Sequence, residues 1–398
     1  MTQALSAETL ATVAPLAMID RAALHMAAAI AALPVERRNT IPILSNLRMI
    51  GAGDSLEITG TDLDTEVKVT VAGAVDSRFA VTLPAAKMVD TLKAAKSADV
   101  ATITAGNTTA GFDIGAARLS LPQLPVTDFP DMAKPETGVT FSIPLAGFRA
   151  GLNRVLFAVS KEETRYYLKG VYLHLRQTSE GGAVGLRMVA TDGYRLASYD
   201  VEGQLPGLAE LGPGGMPGVI VPRLAVATIL KAMTMLQRAK RLPDSVQMTT
   251  AGNLYRLTFG PVQITGKLVD GTFPDYERVI PRANGNKSVM NVDAFRDAVK
   301  QAITMTDEKA AKVRLEFADG RCTISVNNPE SGTASLSIGA AMTGEPVTIA
   351  FNARFLLDAT ADIAGDTFTM ALDDAASPAL IADAAAPQWL SVLMPMQV

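Results

Sequence analysis

The chain has 398 residues, of which 48% are hydrophobic and 19% charged, and its formal net charge is −4. It is long enough to bury a sizeable core and too long for one ordinary domain. One cysteine excludes an internal disulfide, two histidines leave little scope for a Cys/His metal site, and the net acidity taken alone argues against nucleic-acid binding.

Hydropathy argues against a membrane protein. No apolar run approaches the roughly 18 residues that a membrane helix needs, and the N-terminus lacks a basic region followed by a continuous apolar segment. We therefore expect a soluble, cytoplasmic protein. Cys322 lies in an alternating run at 321–326, which is typical of a buried thiol and not of a nucleophile.

A strand-turn-strand unit recurs three times along the chain. The copies are ITGTDLDTEVKVTV at 58–71, VATDGYRLASYDV at 189–201 and ISVNNPESGTASLSI at 324–338. Their Thr61, Thr191 and Asn327 are spaced by roughly 130 residues, an interval that indicates three similar domains.

The first copy follows residues 1–13, which are interpreted as a loose extension. Apolar spacing predicts a helix over 18–33, with Asp20 near its start and Pro34 after its end. Alternation and turn residues then predict strands 43–50, 55–60, 65–71 and 78–83, a helix over 84–97, and strands 99–105, 110–114 and 117–121.

The second and third copies repeat this order of elements. The second has a strand at 139–143, a helix at 145–159, strands 170–175, 185–191, 195–201 and 219–221, a helix at 223–241, and strands 245–250, 255–259 and 262–268. The third has strand 288–290, helix 292–304, strands 313–317, 322–326, 334–338 and 347–351, helix 352–363 and three final strands. Two helices and about eight strands per copy favour an α+β fold with antiparallel sheets as one layer and helices as another.

Charge is distributed unevenly between the predicted helices and the rest of the chain. The helices are net positive, and helix 223–241 contributes most of the excess through Arg223, Lys231, Arg238, Lys240 and Arg241. Such a surface suits phosphates without reading bases. The alternative is that Lys and Arg are present simply as good surface helix formers, and charge alone favours that alternative.

Motifs for catalysis are missing from the sequence. It contains no nucleophile elbow, metal-binding histidine pair or cysteine-histidine pair, and the glycine-proline run at 212–218 lacks the context of a phosphate loop. The carboxylates of Asp62, Asp64, Asp192 and Asp275 lie in turns, where they commonly bond to the backbone. We therefore expect a binding protein with no catalytic residue, no metal and no cofactor.

Eight segments, taken together and in order, resemble one known family. They are RRNTIPILSNL (37–47), GTDLDTEV (60–67), RYYLKGVYL (165–173), ATDGYRLA (190–197), GKLVDGTFPDYERVIP (266–281), NNPE (327–330), FNARFLLD (351–358) and the terminal MPMQV. The family is the bacterial DNA polymerase III β subunit, the sliding clamp, and the resemblance runs from about Ile19 to the last residue.

The resemblance implies the architecture. After an N-terminal extension (1–15), it implies three repeated domains of the DNA-clamp fold at 16–136, 137–284 and 285–398. Antiparallel sheets would lie outside and helices inside a ring formed by a homodimer.

The resemblance also implies the function. A closed ring around double-stranded DNA, held without regard to sequence, keeps a tethered polymerase at high effective concentration. The implied partners are the DNA polymerase III α subunit, the clamp loader, and other polymerases and repair proteins that carry short linear motifs, with no membrane partner. The alternative is a divergent clamp-like scaffold that gathers replication or repair proteins without being loaded productively on DNA.

The resemblance assigns three groups of residues. A hydrophobic cleft for partner peptides would comprise Leu168, Thr191, Gly193, Tyr194, Arg195, Leu196, Pro274, Arg278, Val279, Asn352, Phe355, Val392, Leu393, Met394, Pro395 and Met396. DNA contacts would come from Arg38, Tyr166, Tyr167 and Lys267. Ring closure would bring Leu119 and Leu121 of one chain against Ala294 and Phe295 of the other. Acidic Glu162 and Glu163 before the tyrosines, and Leu224 after Arg223, depart from the family pattern, so a second, divergent clamp stays an alternative.

Overall fold

The structure is a computed structural model. It describes residues 15–37, 39–76, 78–96, 98–106, 108–135, 137–177, 184–201, 205, 216–305, 311–329 and 332–397. The DNA-contact candidate Arg38, nearly all of the predicted extension 1–15 and most of the loop at 212–218 lie outside the described residues.

Six α-helices and five short 3-10 helices are formed by the described residues. The α-helices are α1 (Arg21–Ala31), α2 (Ala85–Ala94), α3 (Leu145–Leu156), α4 (Arg223–Arg238), α5 (Val292–Ala302) and α6 (Ala353–Ala359). The 3-10 helices are Pro42–Ser45, Val126–Asp128, Glu163–Leu168, Tyr276–Val279 and Ile303–Met305.

Twenty-five strands lie within the same described ranges. In chain order they are β1 (Ala17–Asp20), β2 (Asn46–Ala52), β3 (Ser55–Thr61), β4 (Thr65–Ala72), β5 (Ala74–Val75), β6 (Phe79–Pro84), β7 (Val100–Ala105), β8 (Thr109–Ile114), β9 (Ala117–Pro122), β10 (Val139–Pro144), β11 (Gly170–Gln177), β12 (Val184–Thr191), β13 (Arg195–Val201), β14 (Val219–Pro222), β15 (Ser245–Ala251), β16 (Leu254–Phe259), β17 (Val262–Lys267), β18 (Asn286–Asn291), β19 (Lys312–Ala318), β20 (Arg321–Asn328), β21 (Gly332–Thr343), β22 (Val347–Asn352), β23 (Thr367–Leu372), β24 (Ala379–Ala382) and β25 (Trp389–Leu393).

The element order repeats three times, as the sequence predicted. Each repeat runs strand, helix, four strands, helix, three strands, with the short β5 as an addition in the first. Each also contributes two four-stranded ladders of the same order, β1-β7-β8-β9 with β4-β3-β2-β6 in the first, and their equivalents in the second and third. This common topology makes the chain an α+β protein of three like domains.

One kind of joint links consecutive repeats. The last strand of the second repeat, β17, pairs antiparallel with β4 of the first. In the same way β25, the last strand of the third repeat, pairs antiparallel with β13 of the second. Thr65 lies opposite Gly266 in the first joint, and Arg195 lies opposite Leu393 at the equivalent position of the second joint.

By contacts the chain divides into two compact units, and the second repeat contributes to both. The first unit comprises Met1–Ser142 and Ala227–Lys267. Its helix α1 begins at Arg21, three residues later than predicted, because Ala17–Asp20 form strand β1 and pair with β7. The Asp20 carboxylate caps the helix by accepting the Ala23 N–H at 2.6 Å. One face of α1, including Leu24 and Ile30, is fully buried.

The second unit comprises Ile143–Val226 and Leu268–Val398 and contains a twelve-stranded sheet. Helix α3 packs on β12 and β13, and Gly151 permits the close approach because a Cβ there would lie 2.7 Å from the Met188 sulfur. Arg154 of α3 pairs with the fully buried Asp383 at 3.2 Å. This arginine therefore serves the interior of the unit, although it lies on one of the helices that were predicted to be net positive.

Several helices end earlier than predicted. Helix α4 ends at Arg238 instead of 241, and Lys240 adopts a left-handed φ of 55°, which a continuing helix does not allow. The end of the fifth predicted helix, near residue 304, is a 3-10 helix. Cys322 is buried, as predicted, and burial raises the pKa of its thiol to about 12. Among the described residues no helix is long and apolar enough to cross a membrane.

Candidate peptide-binding cleft

An apolar cleft of about 150 Å³ lies within the second compact unit. It is lined by Leu168, Thr191, Gly193, Arg195, Leu196, Pro274, Asp275, Tyr276, Val279, Val392 and Met394. Nine of these eleven residues belong to the set that the sequence assigned to a partner-peptide cleft. Residues from distant parts of the chain therefore meet at one place.

The floor of the cleft is built on the joint between β13 and β25. Leu196 and Val392 are opposite one another in that ladder and are each 2% exposed. Leu168, at the end of the 3-10 helix before β11, packs into the same buried cluster with Ile220 and Tyr276. Burial of these side chains against one another gives a preformed apolar surface.

The turn between β12 and β13 forms one rim. The Asp192 carboxylate accepts the backbone N–H groups of Tyr194 and Arg195, each at 3.0 Å. The Thr191 hydroxyl donates to the Arg195 carbonyl at 2.8 Å and accepts the Gly193 N–H at 3.1 Å. Gly193 has a φ of 90°, and a Cβ there would lie 2.6 Å from an Arg165 guanidinium nitrogen. A larger residue would be strained and would also fill the cleft.

Arg195 is a fixed part of the cleft wall. Its guanidinium bonds Asp192 at 3.0 Å and Asp358 at 2.6 Å, and it lies over the rings of Phe157 and Phe355 at 5.3 and 4.4 Å. The residue is 9% exposed. Charge pairing and cation-π contacts hold it in place as part of the wall.

Seven predicted cleft residues do not line the cavity. They are Tyr194, Arg278, Asn352, Phe355, Leu393, Pro395 and Met396. Phe355 supports Arg195, and the Asn352 side chain caps α6 by accepting the Arg354 N–H at 3.0 Å. Leu393 is fully buried. Tyr194 is 53% exposed beside the cavity, and its carbonyl accepts the Met394 N–H at 2.9 Å.

Sequence reasoning missed two lining residues, Asp275 and Tyr276. Both lie in the segment 266–281 that the resemblance used, between Pro274 and Val279. The signal that would have found Tyr276 is the 3-10 helix Tyr276–Val279, in which residues three apart face the same side.

The candidate DNA contacts have different surroundings. Tyr166 is 54% exposed and its ring meets that of Tyr167 edge-on, with centroids 5.8 Å apart. Tyr167 is half-buried and packs against the apolar cluster of the cleft. In the first unit, the Lys267 ammonium is paired with the Asp64 carboxylate at 2.9 Å.

The candidate interface residues also differ in exposure. Leu119 and Leu121 are half-buried on β9, an edge strand of its sheet, and Ala294 is exposed on α5. The expectation that Phe295 meets a second chain does not fit its position. It is fully buried and packs edge-on against Phe368 at 5.1 Å, so its side chain has no surface to offer.

Family models match the chain in three consecutive stretches. The DNA polymerase III beta subunit N-terminal domain matches residues 17–133, the central domain 142–275 and the C-terminal domain 277–397. Among curated proteins, a beta sliding clamp of Caulobacter vibrioides is 38% identical over 96% of this chain and 99% of its own length. A beta sliding clamp of Pseudomonas aeruginosa is 32% identical, with the same coverage of both chains.

Solved structures of sliding clamps share the fold. The clamp of Bartonella birtlesii, bound to griselimycin, has a TM-score of 0.89 and 35% identity, covering 97% of this chain and 100% of its own. The Caulobacter crescentus clamp, with polyethylene glycol bound to a proposed beta-motif tethering region, has a TM-score of 0.86 and 36% identity, covering 96% and 99%. Sequence and fold agree over nearly the whole chain, which therefore belongs to the DNA polymerase III beta subunit family of sliding clamps.

Proposed function

We propose that this chain is a DNA sliding clamp: two copies close as a ring around duplex DNA and tether the replicative polymerase for processive synthesis. The role is topological and needs no catalytic residue, because a ring around DNA cannot leave sideways and keeps its partner near the primer end. The three proposed domains are 16–136, 137–284 and 285–398. Family membership supports this function and does not favour the scaffold alternative.

The observation that carries the proposal is the repeated strand joint. The last strand of the second repeat pairs with β4, and the last strand of the third pairs with β13. The last strand of the first repeat, β9, pairs only with β8 among the described residues. The equivalent of β4 and β13 in the third repeat is β21, and its residues 332–339 pair only with β20 in the described chain. One joint is thus left open at each end of the set of repeats.

Two copies arranged head to tail would close both open joints. Half-buried and exposed residues alternate over residues 118–122 of β9 and over residues 333–339 of β21, so one face of each strand is less exposed than the other. Leu119 and Leu121 lie on that face of β9, and Leu336 and Ile338 lie on that face of β21. We therefore place β21, and not Phe295, opposite β9 in the proposed dimer.

A charge on β9 tests this interface. Leu121→Asp should convert the dimer to a monomer in light scattering, because an unpaired carboxylate at a strand-to-strand seam is costly. Val100→Asp is the matched control, since Val100 is 43% exposed on β7 of the same sheet and outside the proposed seam. A Leu121→Asp protein that remains dimeric would place the interface elsewhere.

The proposed cleft function is to receive short linear motifs of partner proteins. We expect these to include the DNA polymerase III α subunit, the clamp loader, and other polymerases and repair proteins. An apolar floor with a fixed arginine wall and the adaptable side chain of Met394 suits a short, largely apolar peptide. A related clamp binds griselimycin, and another binds polyethylene glycol at a proposed beta-motif tethering region, which supports a ligand-binding role for a clamp surface.

Contacts with DNA are proposed to be sequence-independent and weak. Arg38, Tyr166, Tyr167 and Lys267 are the proposed contacts, and exposed Tyr166 is free to stack on a base or a sugar. Lys267 has to give up its pairing with Asp64, or share it, to reach a phosphate. Weak contacts fit a ring that slides.

Retention on circular DNA tests the function as a whole. The protein is loaded onto a nicked circular plasmid by a clamp loader with ATP, and retention in high salt is measured before and after one double-strand cut. We expect it to stay on the circle and to be lost on linearisation. Equal loss from both forms would contradict a topological hold and favour the scaffold.

A further inference from the structure

Four aromatic side chains form a closed group behind the cleft. Tyr172 and His174 are two residues apart on β11 and face the same side, with ring centroids 5.0 Å apart. Phe273 stacks on Tyr172 at 4.6 Å and meets Tyr276 edge-on at 6.4 Å. His174 and Tyr276 complete the group at 5.7 Å. Strand β11 is thereby packed against the segment 273–276.

Tyr276 connects this group to the cleft. It lines the cavity, is 6% exposed and begins the 3-10 helix that also carries Val279. Its hydroxyl lies 2.8 Å from His174 Nε2, and His174 Nδ1 lies 3.0 Å from the Leu175 carbonyl oxygen. A carbonyl only accepts, so Nδ1 carries the proton, and in the neutral imidazole Nε2 accepts from the Tyr276 hydroxyl.

We propose that His174 is a positioning residue of the cleft: as a neutral imidazole it holds the Tyr276 hydroxyl and so fixes the wall formed by residues 274–279. This inference rests on the proposed function, since it concerns the affinity of that cleft for a partner peptide. His174 itself does not line the cavity and acts only through Tyr276.

Protonation of His174 would break this arrangement. An imidazolium has two donors and no acceptor, so the Tyr276 proton loses its partner. The Tyr276 oxygen already accepts a hydrogen bond from Arg187, whose guanidinium is paired with Asp200, so it is poorly placed to accept a second charged donor. The titratable and charged groups around His174 are Tyr172 on its own strand, Arg187 on β12, Asp200 on β13, Arg176 beside Asp200, and Tyr276 and Glu277 on the cleft segment.

The sign of the pH effect follows from burial. Burial first, and the Arg187 charge second, lower the pKa of His174 below its usual 6.5, although the Leu175 carbonyl, Glu277 and Asp200 oppose them. The neutral form therefore predominates at pH 7 and above, and it is lost as the pH falls below 6.5 through the lowered pKa. Burial also raises the pKa of Tyr276 to about 12, so its hydroxyl keeps its proton over this range.

The small number of histidines makes the pH dependence of peptide binding straightforward to assign. The chain has two histidines, and the other, His25, lies in the first compact unit. The full-length protein is titrated with a fluorescently labelled, histidine-free peptide carrying the clamp-binding motif of a DNA polymerase III α subunit. Anisotropy gives Kd at several pH values from about 8 to about 5 for the wild type, His174→Gln, His174→Phe, Tyr276→Phe and the control His25→Gln.

The expected results separate positioning from mere packing. Wild-type Kd rises about fivefold from pH 8 to pH 5, the effect of one lost hydrogen bond, and His25→Gln does the same. His174→Gln keeps an acceptor oxygen near the Nε2 position, so it binds normally at pH 8 and loses most of the rise. His174→Phe and Tyr276→Phe each bind about fivefold more weakly at pH 8 with a flat profile, and the double variant that combines these two substitutions, measured in the same way, is no weaker than either.

Four results would overturn the inference. A pH-dependent rise that survives in His174→Gln shows that another group titrates, and additive losses in the double variant show that His174 and Tyr276 act separately. If the wild type binds the peptide yet all profiles coincide, only the positioning role fails. If the wild type binds no peptide at any pH, the proposed cleft function fails as well. Should His174→Phe not fold, Tyr276→Phe and the pH profile of His174→Gln together still decide, since the first removes one hydroxyl and the second removes the titrating group.

Discussion

The two joints between repeats have the same turn and differ in what surrounds it. At the joint of β4 with β17, the Asp62 carboxylate accepts the N–H groups of Asp64 at 2.9 Å and Thr65 at 2.6 Å. Asp192 does the same two and three residues onward at the joint of β13 with β25. Leu63 has a φ of 75°, and Gly193, its equivalent, has a φ of 90°. The backbone alone therefore does not create a cleft.

Side chains at equivalent ladder positions account for the difference. Leu196 opposite Val392 forms an apolar floor, whereas Glu66 opposite Thr265 occupies the same place in the first repeat. Glu66 is 4% exposed and its carboxylate accepts the Met132 N–H. That bond ties the turn to the segment that begins Phe129-Pro130-Asp131, which corresponds to Phe273-Pro274-Asp275 in the second repeat.

The first repeat holds the same segment through different contacts. Arg48 pairs with Asp131 at 2.7 Å and lies over the Phe129 ring at 4.8 Å, and Phe129 packs with Ile43 and Leu44. In the second repeat Asp275 pairs with the well-exposed Arg278, at 2.7 Å. We call the contacts of Glu66 with Met132 and of Arg48 with Asp131 the polar lock of the first repeat. A peptide site thus arises where apolar residues replace this polar lock on a common turn.

Removal of the C-terminal wall should have the largest effect on this difference. Deletion of residues 394–398 takes away Met394, which lines the cleft, and the Met396 N–H bond to the Ala350 carbonyl at 2.7 Å. We expect affinity for a polymerase-derived peptide to fall more than about 100-fold, since a few buried contacts carry most of such binding. Anisotropy measures the affinity and light scattering checks that the dimer persists. Unchanged affinity would contradict the assignment of the cleft.

Exchange of the residue with positive φ between the two turns should have the next largest effect. Gly193→Leu gives the cleft turn the leucine that stands at the equivalent position, Leu63, in the first repeat. The new side chain competes with Arg165 and with the peptide. We expect a loss of affinity of about 30-fold, the size of one interface hot spot. The control, Leu63→Gly, should leave affinity unchanged, because that turn has no apolar floor. A Gly193→Leu protein that binds normally would show that the peptide avoids this rim.

Loss of the fixed arginine should have a smaller effect. Thr65 occupies the position of Arg195 at the joint of β4 with β17, so Arg195→Met removes a side chain that distinguishes the cleft from that joint. We expect about tenfold weaker peptide binding and a fall of about 1–2 kcal/mol in the free energy of unfolding, from the lost bonds to Asp192 and Asp358. Arg278→Met is the matched control, since that side chain is 84% exposed and does not line the cavity. Equal losses of peptide affinity in both variants would show that Arg195 contributes no more to binding than the exposed Arg278.

Sequence patterns predicted most of the fold, and the family resemblance assigned nine of the eleven residues that line the cleft. Turn motifs and alternation depend on local backbone preferences, so the turns at 61–65 and 191–195 and most strand positions were confirmed. Strand β1 was taken for the start of a helix, because four residues with the pattern AMID fit a helical period as well as an alternating one. Its pairing with β7, about 80 residues away, is invisible to local pattern.

The remaining gaps concern which groups pair in three dimensions. The sequence cannot reveal that Arg154 is neutralised by Asp383, because the two are 229 residues apart. It likewise places Phe295 on an amphipathic helix without showing which face meets the sheet. The roles of Tyr276 and His174 depend on one hydrogen bond between residues 102 positions apart, and only the tertiary structure shows it.

The polar lock of the first repeat gives the smallest predicted effect. Burial raises the pKa of Glu66 above its usual 4.5, against the opposing influence of Lys68 and Arg48, so the ionised carboxylate is less stable in the folded protein than in the unfolded chain. Glu66→Gln keeps an acceptor for the Met132 N–H without the charge. We expect it to raise the free energy of unfolding at pH 7 by less than about 1 kcal/mol.

The gain from Glu66→Gln should shrink as the pH falls. The wild-type carboxyl takes up its proton in the folded protein before it does so in the unfolded chain, so the wild type gains stability between its raised pKa and pH 4.5 and approaches the variant. Urea unfolding at about pH 8 and about pH 5 measures this, and peptide affinity should not change, since the cleft lies at the other joint. A gain of the same size at both pH values would mean that shape and not charge limits this site, and that the lock at Glu66 owes nothing to its ionisation.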